Sequence, residues 1–162
     1  MEAIFLILGS NLGDRETFLQ QAVALLDTVP SRVLRTSSVY ESDPWGFGHA
    51  TGRFLNQAVE LRSSLAPFDL LRRIQAIEDM LGRVRTPGGY AARTIDIDII
   101  FFGDRTVCSE KLAIPHCRME ERMFVLQPLS ELIPGFIHPV LRLTVGELKE
   151  RCTDALPVKK YG

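Results

Sequence analysis

The chain has almost no excess of charge of either sign. Its 162 residues include 19 basic and 20 acidic side chains, which gives a formal net charge of −1. A balance this close to zero provides no global field that would draw the protein to nucleic acid or to an anionic membrane. Any site for anions must therefore be local, and we expect small-molecule ligands, with no nucleic acid and no membrane as partners.

Cysteine is scarce, and long apolar segments are absent. Cys108, Cys117 and Cys152 are odd in number and show no Cys-x-x-Cys spacing, which favours free thiols in a reducing compartment. The N-terminal apolar run at residues 3–8 follows Glu2 instead of a basic segment, and it is too short for a signal peptide or a membrane span. We therefore expect a cytoplasmic protein.

Internal repeats, low-complexity tracts and interdomain linkers are also missing. The length is that of one domain with a sound core, and 46% apolar with 24% charged residues is ordinary for a soluble globule. We expect a single domain over residues 1–162, and we expect it to be a monomer.

Apolar periodicity predicts that strands and helices alternate. The run at residues 3–8 predicts a strand covered on both faces, and a glycine turn with Asp14 as N-cap then opens a helix that ends before Pro30. Strands are predicted over residues 32–40, 54–62 and 93–102, helices over 67–81 and 118–132, and a capping box at 144–147. The order β-α-β-β-α-β predicts an α+β fold, a ferredoxin-like βαββαβ sandwich with an antiparallel sheet and C-terminal helical additions.

Segment 93–102 carries the most informative pattern. The isoleucines at positions 95, 97 and 99 fall on one face of the predicted strand, while Asp96 and Asp98 share the other with Cα atoms roughly 7 Å apart. A carboxylate near a core costs several kcal/mol, on the order of its desolvation, unless a cation or donors meet it. Two such carboxylates suit Mg²⁺, which completes its shell with water and substrate phosphates. The alternative is an edge strand with a wet outer face.

Basic residues precede this strand. Arg83 and Arg85 lie upstream of the predicted strand, and Arg93 stands at its start. Residues 86–92 between them have loop composition with one aromatic ring, Tyr90. Guanidinium groups give forked donors to phosphate oxygens. Together with the two aspartates they favour a site for a polyphosphate–metal complex over three unrelated surface arginines.

A long loop separates the second and third predicted strands. Residues 41–53 contain the only Trp, Trp45, together with one Phe, three Gly and a Pro. We interpret this loop as a lid, because its aromatic residues would otherwise be unexplained apolar surface. Asn56 shares a strand face with Phe54, and an amide beside an aromatic ring suits a flat heterocycle, although a satisfied strand Asn is the commoner case.

Taken together, these motifs resemble one enzyme family over nearly the whole chain. The resemblance rests on Gly9-Ser10-Asn11-Leu12, Ser37-Ser38-Val39-Tyr40, Phe54-Leu55-Asn56, Gly82-Arg83-Val84-Arg85, Arg93-Thr94-Ile95-Asp96-Ile97-Asp98, Ile114-Pro115-His116 and Arg122 through Leu129. The family is 6-hydroxymethyl-7,8-dihydropterin pyrophosphokinase, which moves the terminal pyrophosphoryl group of ATP onto a pterin alcohol in the folate pathway. The resemblance implies ATP as co-substrate and two Mg²⁺ ions.

The resemblance also implies roles for individual residues. Asp96 and Asp98 would hold the metal ions, and Arg83 and Arg93 would stabilise the charge on the transferring group. The implied ATP contacts are Gln75, Glu78, Arg83, Arg85, Arg93, Ile99, Lys111, His116 and Arg122. The implied pterin contacts are Ser42, Pro44, Trp45, Phe54, Asn56, Asp96 and Phe124, with Trp45 and Tyr90 on the closing loops.

Two other functions are compatible with the residues alone. Another Mg²⁺-dependent phosphotransferase or nucleotidyltransferase could use the same aspartates and arginines, although nucleotidyltransferases pair Gly-Ser with Asp-x-Asp at a much shorter separation than Gly9 to Asp96. A non-catalytic ferredoxin-like module could bind nucleotides or RNA by aromatic stacking. The near-zero net charge and the lack of an RNP-type aromatic strand weigh against RNA binding.

Overall fold

The computed structural model of the chain describes residues 1–44, 52–84 and 92–162. Its elements are, in order, β1 Ile4–Ser10, α1 Arg15–Leu26, β2 Ser31–Thr36, β3 Tyr40–Ser42, β4 Phe54–Ser63, α2 Pro67–Met80, β5 Asp96–Phe102, β6 Val107–Cys108, β7 Ala113–Ile114, a 3₁₀ turn Met119–Glu121, α3 Met123–Leu132, α4 Val145–Arg151 and β8 Val158–Lys160.

The main sheet is antiparallel, and β1 lies inside it. The strand order is β5-β1-β4-β3-β8, and β2 also pairs with β4. Ser31 of β2 pairs with Ser63 at one end of β4, and Ser42 of β3 pairs with Phe54 at the other. The strands β2 and β3 therefore occupy one strand position that is broken in the middle. This arrangement confirms the predicted ferredoxin-like βαββαβ plan.

Two apolar cores cover the two faces of the sheet. Side chains of α1 and α2 pack with Leu6 and Leu8 on one face, and side chains of α3 and α4 pack with Phe5 and Ile7 on the other. All seven residues of β1 are buried, because successive side chains of a strand alternate between the two faces and both faces are covered here. The continuous apolar run at the N-terminus follows from that position.

Local sequence signals set the helix ends. The Asp14 side chain accepts a hydrogen bond from the Thr17 backbone N–H and caps α1, and Pro67 opens α2 at its first position. Thr144 and Glu147 form the predicted capping box of α4. Each predicted helix start at these caps is confirmed. None of the helices in the described ranges combines the length and apolar character needed to cross a bilayer.

The predicted strand over residues 32–40 is interrupted at Ser37. The Ser37 hydroxyl accepts a hydrogen bond from the Ala58 N–H (2.9 Å), and the Ser37 N–H donates to the Ala58 carbonyl (2.9 Å). A side chain that takes a ladder hydrogen bond competes with regular pairing. The predicted helix over residues 118–132 is likewise divided into a 3₁₀ turn and α3, with Arg122 extended between them.

A bulge in β5 ends its polar face after two aspartates. Leu6 pairs with Ile99 and Phe5 pairs with Phe101, so Ile100 is an extra residue in β5. Ile100 and Phe101 are both buried in the core under α3 and α4. The bulge thus closes that core directly beyond Asp98.

Candidate active site

Asp96 and Asp98 lie on the sheet face that α3 covers. Asp98 pairs with Ile7 and Asp96 pairs with Gly9, which in turn pairs with Asn56 of β4. Side chains of directly opposed residues point to the same side of a sheet, so the two carboxylates share a face with Asn56. The isoleucines at 95, 97 and 99 are buried in the core under α1 and α2. The predicted division of this strand is confirmed.

Two arginines hold Asp96. Arg83 Nη1 lies 2.7 Å from Asp96 Oδ1, and Arg93 Nη1 lies 3.1 Å from Asp96 Oδ2. Both guanidinium side chains are mostly buried, with 17% and 15% of their surfaces exposed. Burial lowers the pKa of Arg83, but the charges of Asp96 and Glu78 outweigh it and raise that pKa above its ordinary value. Arg83 is therefore a permanent cation at this site.

Glu78 is the buried anchor of this arrangement. It is only 3% exposed, although it lies on α2 among residues that a sequence pattern assigns to the helix surface. Its Oε2 accepts hydrogen bonds from the Ile97 N–H (2.8 Å) and from Arg83 Nη1 (2.6 Å). Glu78 thus joins α2 to β5 and directs Arg83 towards Asp96. Gln75, one turn earlier, is exposed.

The arginines near Asp98 do not compensate for its burial and its acidic neighbours. Its burial and the neighbouring carboxylates of Asp96 and Glu78 raise its pKa to about 8, against the opposing effect of Arg122 and Arg83. A divalent cation beside Asp98 would supply the missing charge and keep the carboxylate ionised. Within the part of the chain that the structure describes, no group of three or more His, Cys, Asp or Glu side chains is arranged to hold a metal ion. A hard divalent ion bound here would take further oxygen ligands from water or from a bound substrate.

His116 lies against the outer edge of β5, because its N–H donates to the Ile100 carbonyl (3.1 Å). Burial and the charge of Arg122 lower the pKa of His116 to about 4, so the imidazole is neutral at pH 7. Its Nδ1 accepts a hydrogen bond from the Arg118 N–H (3.3 Å), which leaves the proton on Nε2. His116 is therefore a neutral donor beside the two aspartates.

A second group of side chains surrounds Asn56, which is 1% exposed. Asn56 Nδ2 donates to Ser42 Oγ (2.8 Å). A Cβ atom at Gly9 would lie 3.4 Å from the Phe54 ring and 3.5 Å from Asn56 Oδ1, so the glycine leaves room for both side chains on the floor of the site. Phe54 is half-buried, and so is Phe124 in the first turn of α3, where the Arg122 guanidinium lies 5.7 Å from its ring centroid. Pro44 is half-buried as well.

Asn11, in the glycine turn after β1, connects the two segments that flank this site. Its Oδ1 accepts from the Arg93 N–H (2.7 Å), its N–H donates to the Arg93 carbonyl (3.1 Å), and its Nδ2 donates to the Gly52 carbonyl (3.2 Å). These bonds also explain why β5 begins at Asp96 and not at Arg93. The nearby glycines were the only signal in the sequence.

The Ile99 side chain is buried in the core on the face opposite Asp98. The Ile97 N–H points to the outer edge of β5, away from β1, and donates there to Glu78. Alternate residues of an antiparallel strand direct their backbone groups to the same edge, so Ile99 also presents its N–H and carbonyl there. Any contact of Ile99 with a ligand is therefore made by its backbone.

The other predicted site residues fall in two groups. Lys111 is exposed in the turn between β6 and β7. Trp45, Arg85 and Tyr90 lie outside the described residues.

Known proteins resemble this chain in sequence. The family model described as 7,8-dihydro-6-hydroxymethylpterin-pyrophosphokinase (HPPK) matches residues 5–134. A Bacillus subtilis protein named 2-amino-4-hydroxy-6-hydroxymethyldihydropteridine pyrophosphokinase is 49% identical over 129 residues, which cover 79% of this chain and 76% of that protein. The Porphyromonas gingivalis protein of the same name is 45% identical over 142 residues, which cover 86% of this chain and 95% of that protein.

Solved structures resemble the chain in fold. A crystal structure of a Plasmodium falciparum HPPK-DHPS triple mutant matches with a TM-score of 0.75 at 18% identity and covers 92% of this chain. The match covers 43% of that structure's chain, so the protein described here spans less than half its length. A Pneumocystis carinii folic acid synthesis protein is 40% identical over 153 residues, which are 94% of this chain and 20% of that protein.

Proposed function

The chain belongs to the 7,8-dihydro-6-hydroxymethylpterin-pyrophosphokinase family, and from that premise we propose how its residues divide the work of the reaction. The reaction is the transfer of a pyrophosphoryl group from ATP to 6-hydroxymethyl-7,8-dihydropterin in folate biosynthesis, which gives AMP and the pterin diphosphate. The observation that carries the proposal is the position of the two aspartates: Asp96 is held by Arg83 and Arg93, Asp98 feels the charge of Arg122, and both share a sheet face with Asn56.

We infer that Asp96 and Asp98 hold two Mg²⁺ ions together with ATP phosphate oxygens. The donor set supports this, since two carboxylates on one face of the sheet suit a hard ion that shares its shell with phosphates. The raised pKa of Asp98 supports it too, because the carboxylate lacks a compensating charge. When bound, Mg²⁺ would neutralise the phosphate charge and make the β-phosphorus more electrophilic.

Arg83 and Arg93 would bind the transferring group. Both already contact Asp96, so both lie beside the carboxylate that would face the phosphates. In the step that we propose, the pterin hydroxyl oxygen attacks the β-phosphorus in line and a new O–P bond forms. The bond to the oxygen bridging the α- and β-phosphorus breaks, AMP leaves with that oxygen, and the hydroxyl proton is released to solvent. Guanidinium groups that are held before the reaction stabilise the charge of such a transition state without reorganisation.

The remaining nucleotide contacts lie around the outer edge of β5. Neutral His116 would donate from Nε2 to a phosphate oxygen, and Arg122 would add a charge on the same side. The backbone groups of Ile99 at the outer edge of β5 would bind the adenine, whose flat ring carries donors and acceptors on its rim. Gln75 and Lys111 complete the proposed contacts, and Glu78 would act through Arg83, which it holds. The contact of Arg85 stays a prediction from the sequence.

The pterin would bind over Asn56. Ser42 accepts one N–H of the Asn56 amide, and Oδ1 with the second N–H would pair with the amide-like edge of a pterin ring. Phe54 and Phe124 would stack on the ring, and Pro44 with Ser42 would line its edge. The lid roles of Trp45 and Tyr90 stay predictions from the sequence.

Nucleotide product analysis tests this function. The protein is incubated with ATP, Mg²⁺ and 6-hydroxymethyl-7,8-dihydropterin, and a parallel sample lacks the pterin. We expect AMP to appear in a 1:1 ratio with a pyrophosphorylated pterin, and only when the pterin is present. Formation of ADP would instead show transfer of the γ-phosphoryl group and would contradict attack at the β-phosphorus.

A further inference from the structure

A cluster of charged side chains lies on the sheet face opposite the proposed pterin site. Arg15 Nη1 contacts Glu41 Oε2 (2.8 Å) and the Arg53 carbonyl (2.9 Å). Arg53 Nε in turn contacts Asp43 Oδ1 (3.0 Å), and the Arg15 guanidinium lies 5.6 Å from the ring centroid of Tyr161. We call these five residues the Arg15 cluster. It joins α1, β3, the start of β4 and the C-terminal segment.

Arg15 is an unusual first residue for a helix. The N-terminus of a helix carries a partial positive charge, so a cation is not favoured there. Its side chain is nevertheless only 26% exposed, as is that of Glu41. Contacts from other elements therefore fix the guanidinium, and the helix only carries it.

The cluster and the pterin residues alternate along the same two strands. Glu41 pairs with Leu55, which is buried under α1, while Ser42 pairs with Phe54 on the other face. Successive side chains of a strand point to opposite faces of the sheet. A bond that fixes Glu41 on the α1 face therefore also fixes the direction in which Ser42 points on the other face. The Arg53 carbonyl belongs to the peptide bond that leads into Phe54, so its bond to Arg15 also restrains the position of Phe54. One guanidinium therefore ties the residue before β4 to the neighbouring strand β3.

We propose that Arg15 is a positioning residue for the pterin. By holding Glu41 and the Arg53 carbonyl together, it fixes the spacing of Ser42, Phe54 and Asn56 across β3 and β4. The inference rests on the pterin role proposed above for those three residues. Arg15 itself does not touch the reacting groups, because it lies on the opposite face of the sheet.

Steady-state kinetics on the full chain test the proposal with Arg15→Met, which keeps the apolar stem and removes the guanidinium. We expect the KM for the pterin to rise about fivefold, with the KM for ATP and kcat within about twofold of wild type. Arg15→Lys keeps a charge for Glu41 but loses the forked donors, so its KM for the pterin should lie between those of wild type and Arg15→Met. Arg35→Met is the matched control, since Arg35 pairs with Glu60 on the same sheet, away from Phe54, and Glu60 keeps Arg62 as a partner.

Hydrogen exchange gives a readout that does not depend on turnover. In Arg15→Met we expect faster exchange of the amides of β3 and of the first residues of β4, with β1 and β5 unchanged. An unchanged KM for the pterin, or an equal rise of both KM values, would overturn the proposal.

Asn56→Ala separates the positioning role of Arg15 from the proposed pterin site on which it rests. We expect it to raise the KM for the pterin by itself, because the amide is lost. If it does so while Arg15→Met has no effect, the positioning role is wrong and the pterin site stands. If Asn56→Ala leaves the KM for the pterin unchanged, the pterin site and the role of Arg15 are both wrong.

Discussion

Asp96 and Asp98 are two positions apart on one strand, but their surroundings differ. Each oxygen of Asp96 meets an arginine, while burial and the neighbouring carboxylates raise the pKa of Asp98. An acid whose pKa is raised on folding destabilises the folded state at pH values above its ordinary pKa. Asp98 therefore lowers stability at neutral pH in the absence of a cation, which is a property of a functional group and not of a structural one.

His116 gives a prediction about pH and stability. Its pKa is near 4 in the folded chain and 6.5 in the unfolded chain, so between these values the unfolded state binds more protons and stability rises with pH. From pH 7 to pH 5 the free energy of unfolding should fall by about 2 kcal/mol on account of this group. We expect His116→Gln to have a shallower slope over this range in urea titrations. A slope equal to that of wild type would contradict the buried neutral imidazole.

The chemistry of single residues was easier to predict than their burial. The pattern around Asp96 predicted its face and a cation near it, because strand alternation and charge are local properties, while its direct pairing with Arg83 and Arg93 was not predicted. The buried position of Glu78 was not predictable from its helix, since its partners Arg83 and Ile97 lie in another element. A carboxylate becomes buried here because tertiary contacts supply its donors.

At the scale of elements, Asn11 ties the turn after β1 to the ends of the two segments that border the site. We expect Asn11→Ala to lower kcat/KM by about tenfold, because the Arg93 backbone loses a buried hydrogen bond next to the reacting phosphates. Asn11→Asp keeps the acceptor for the Arg93 N–H and loses only the donor to Gly52, so its loss should be smaller. Equal losses in both variants, measured by initial rates, would show that the bond to Arg93 is not the important one.

Most elements were predictable, and the exceptions have physical causes. Caps at Asp14, Pro67 and Thr144 are local, so the helices begin where the sequence indicates. The short strand β8 was not predicted, because its three residues carry little apolar pattern and pair with β3, which is distant in the sequence. The break at Ser37 depends on a long-range bond to Ala58 and was not predictable either.

At the scale of the whole molecule, the sheet separates two tasks. The face under α1 and α2 is an apolar core that also carries the Arg15 cluster at its rim, and the face under α3 carries the aspartates and the pocket around Asn56. The arginines at positions 83, 93 and 122 lie with the carboxylates of Asp96, Asp98 and Glu78 at one edge of the sheet, so charges of both signs are concentrated there in a chain whose net charge is −1. The family membership favours the pyrophosphokinase over the two alternatives that the residues alone left open.

The central claim is that Asp98 serves the bound metal and phosphates and not the fold. The most direct test measures activity and thermal unfolding of Asp98→Asn beside Asp104→Asn, a control in an exposed turn. We predict that Asp98→Asn loses turnover by about a thousandfold while its Tm without Mg²⁺ equals or exceeds that of wild type, and that the control changes neither. Near-normal turnover of Asp98→Asn would contradict this claim. So would a large drop in Tm in which the loss of activity matches the fraction of unfolded protein.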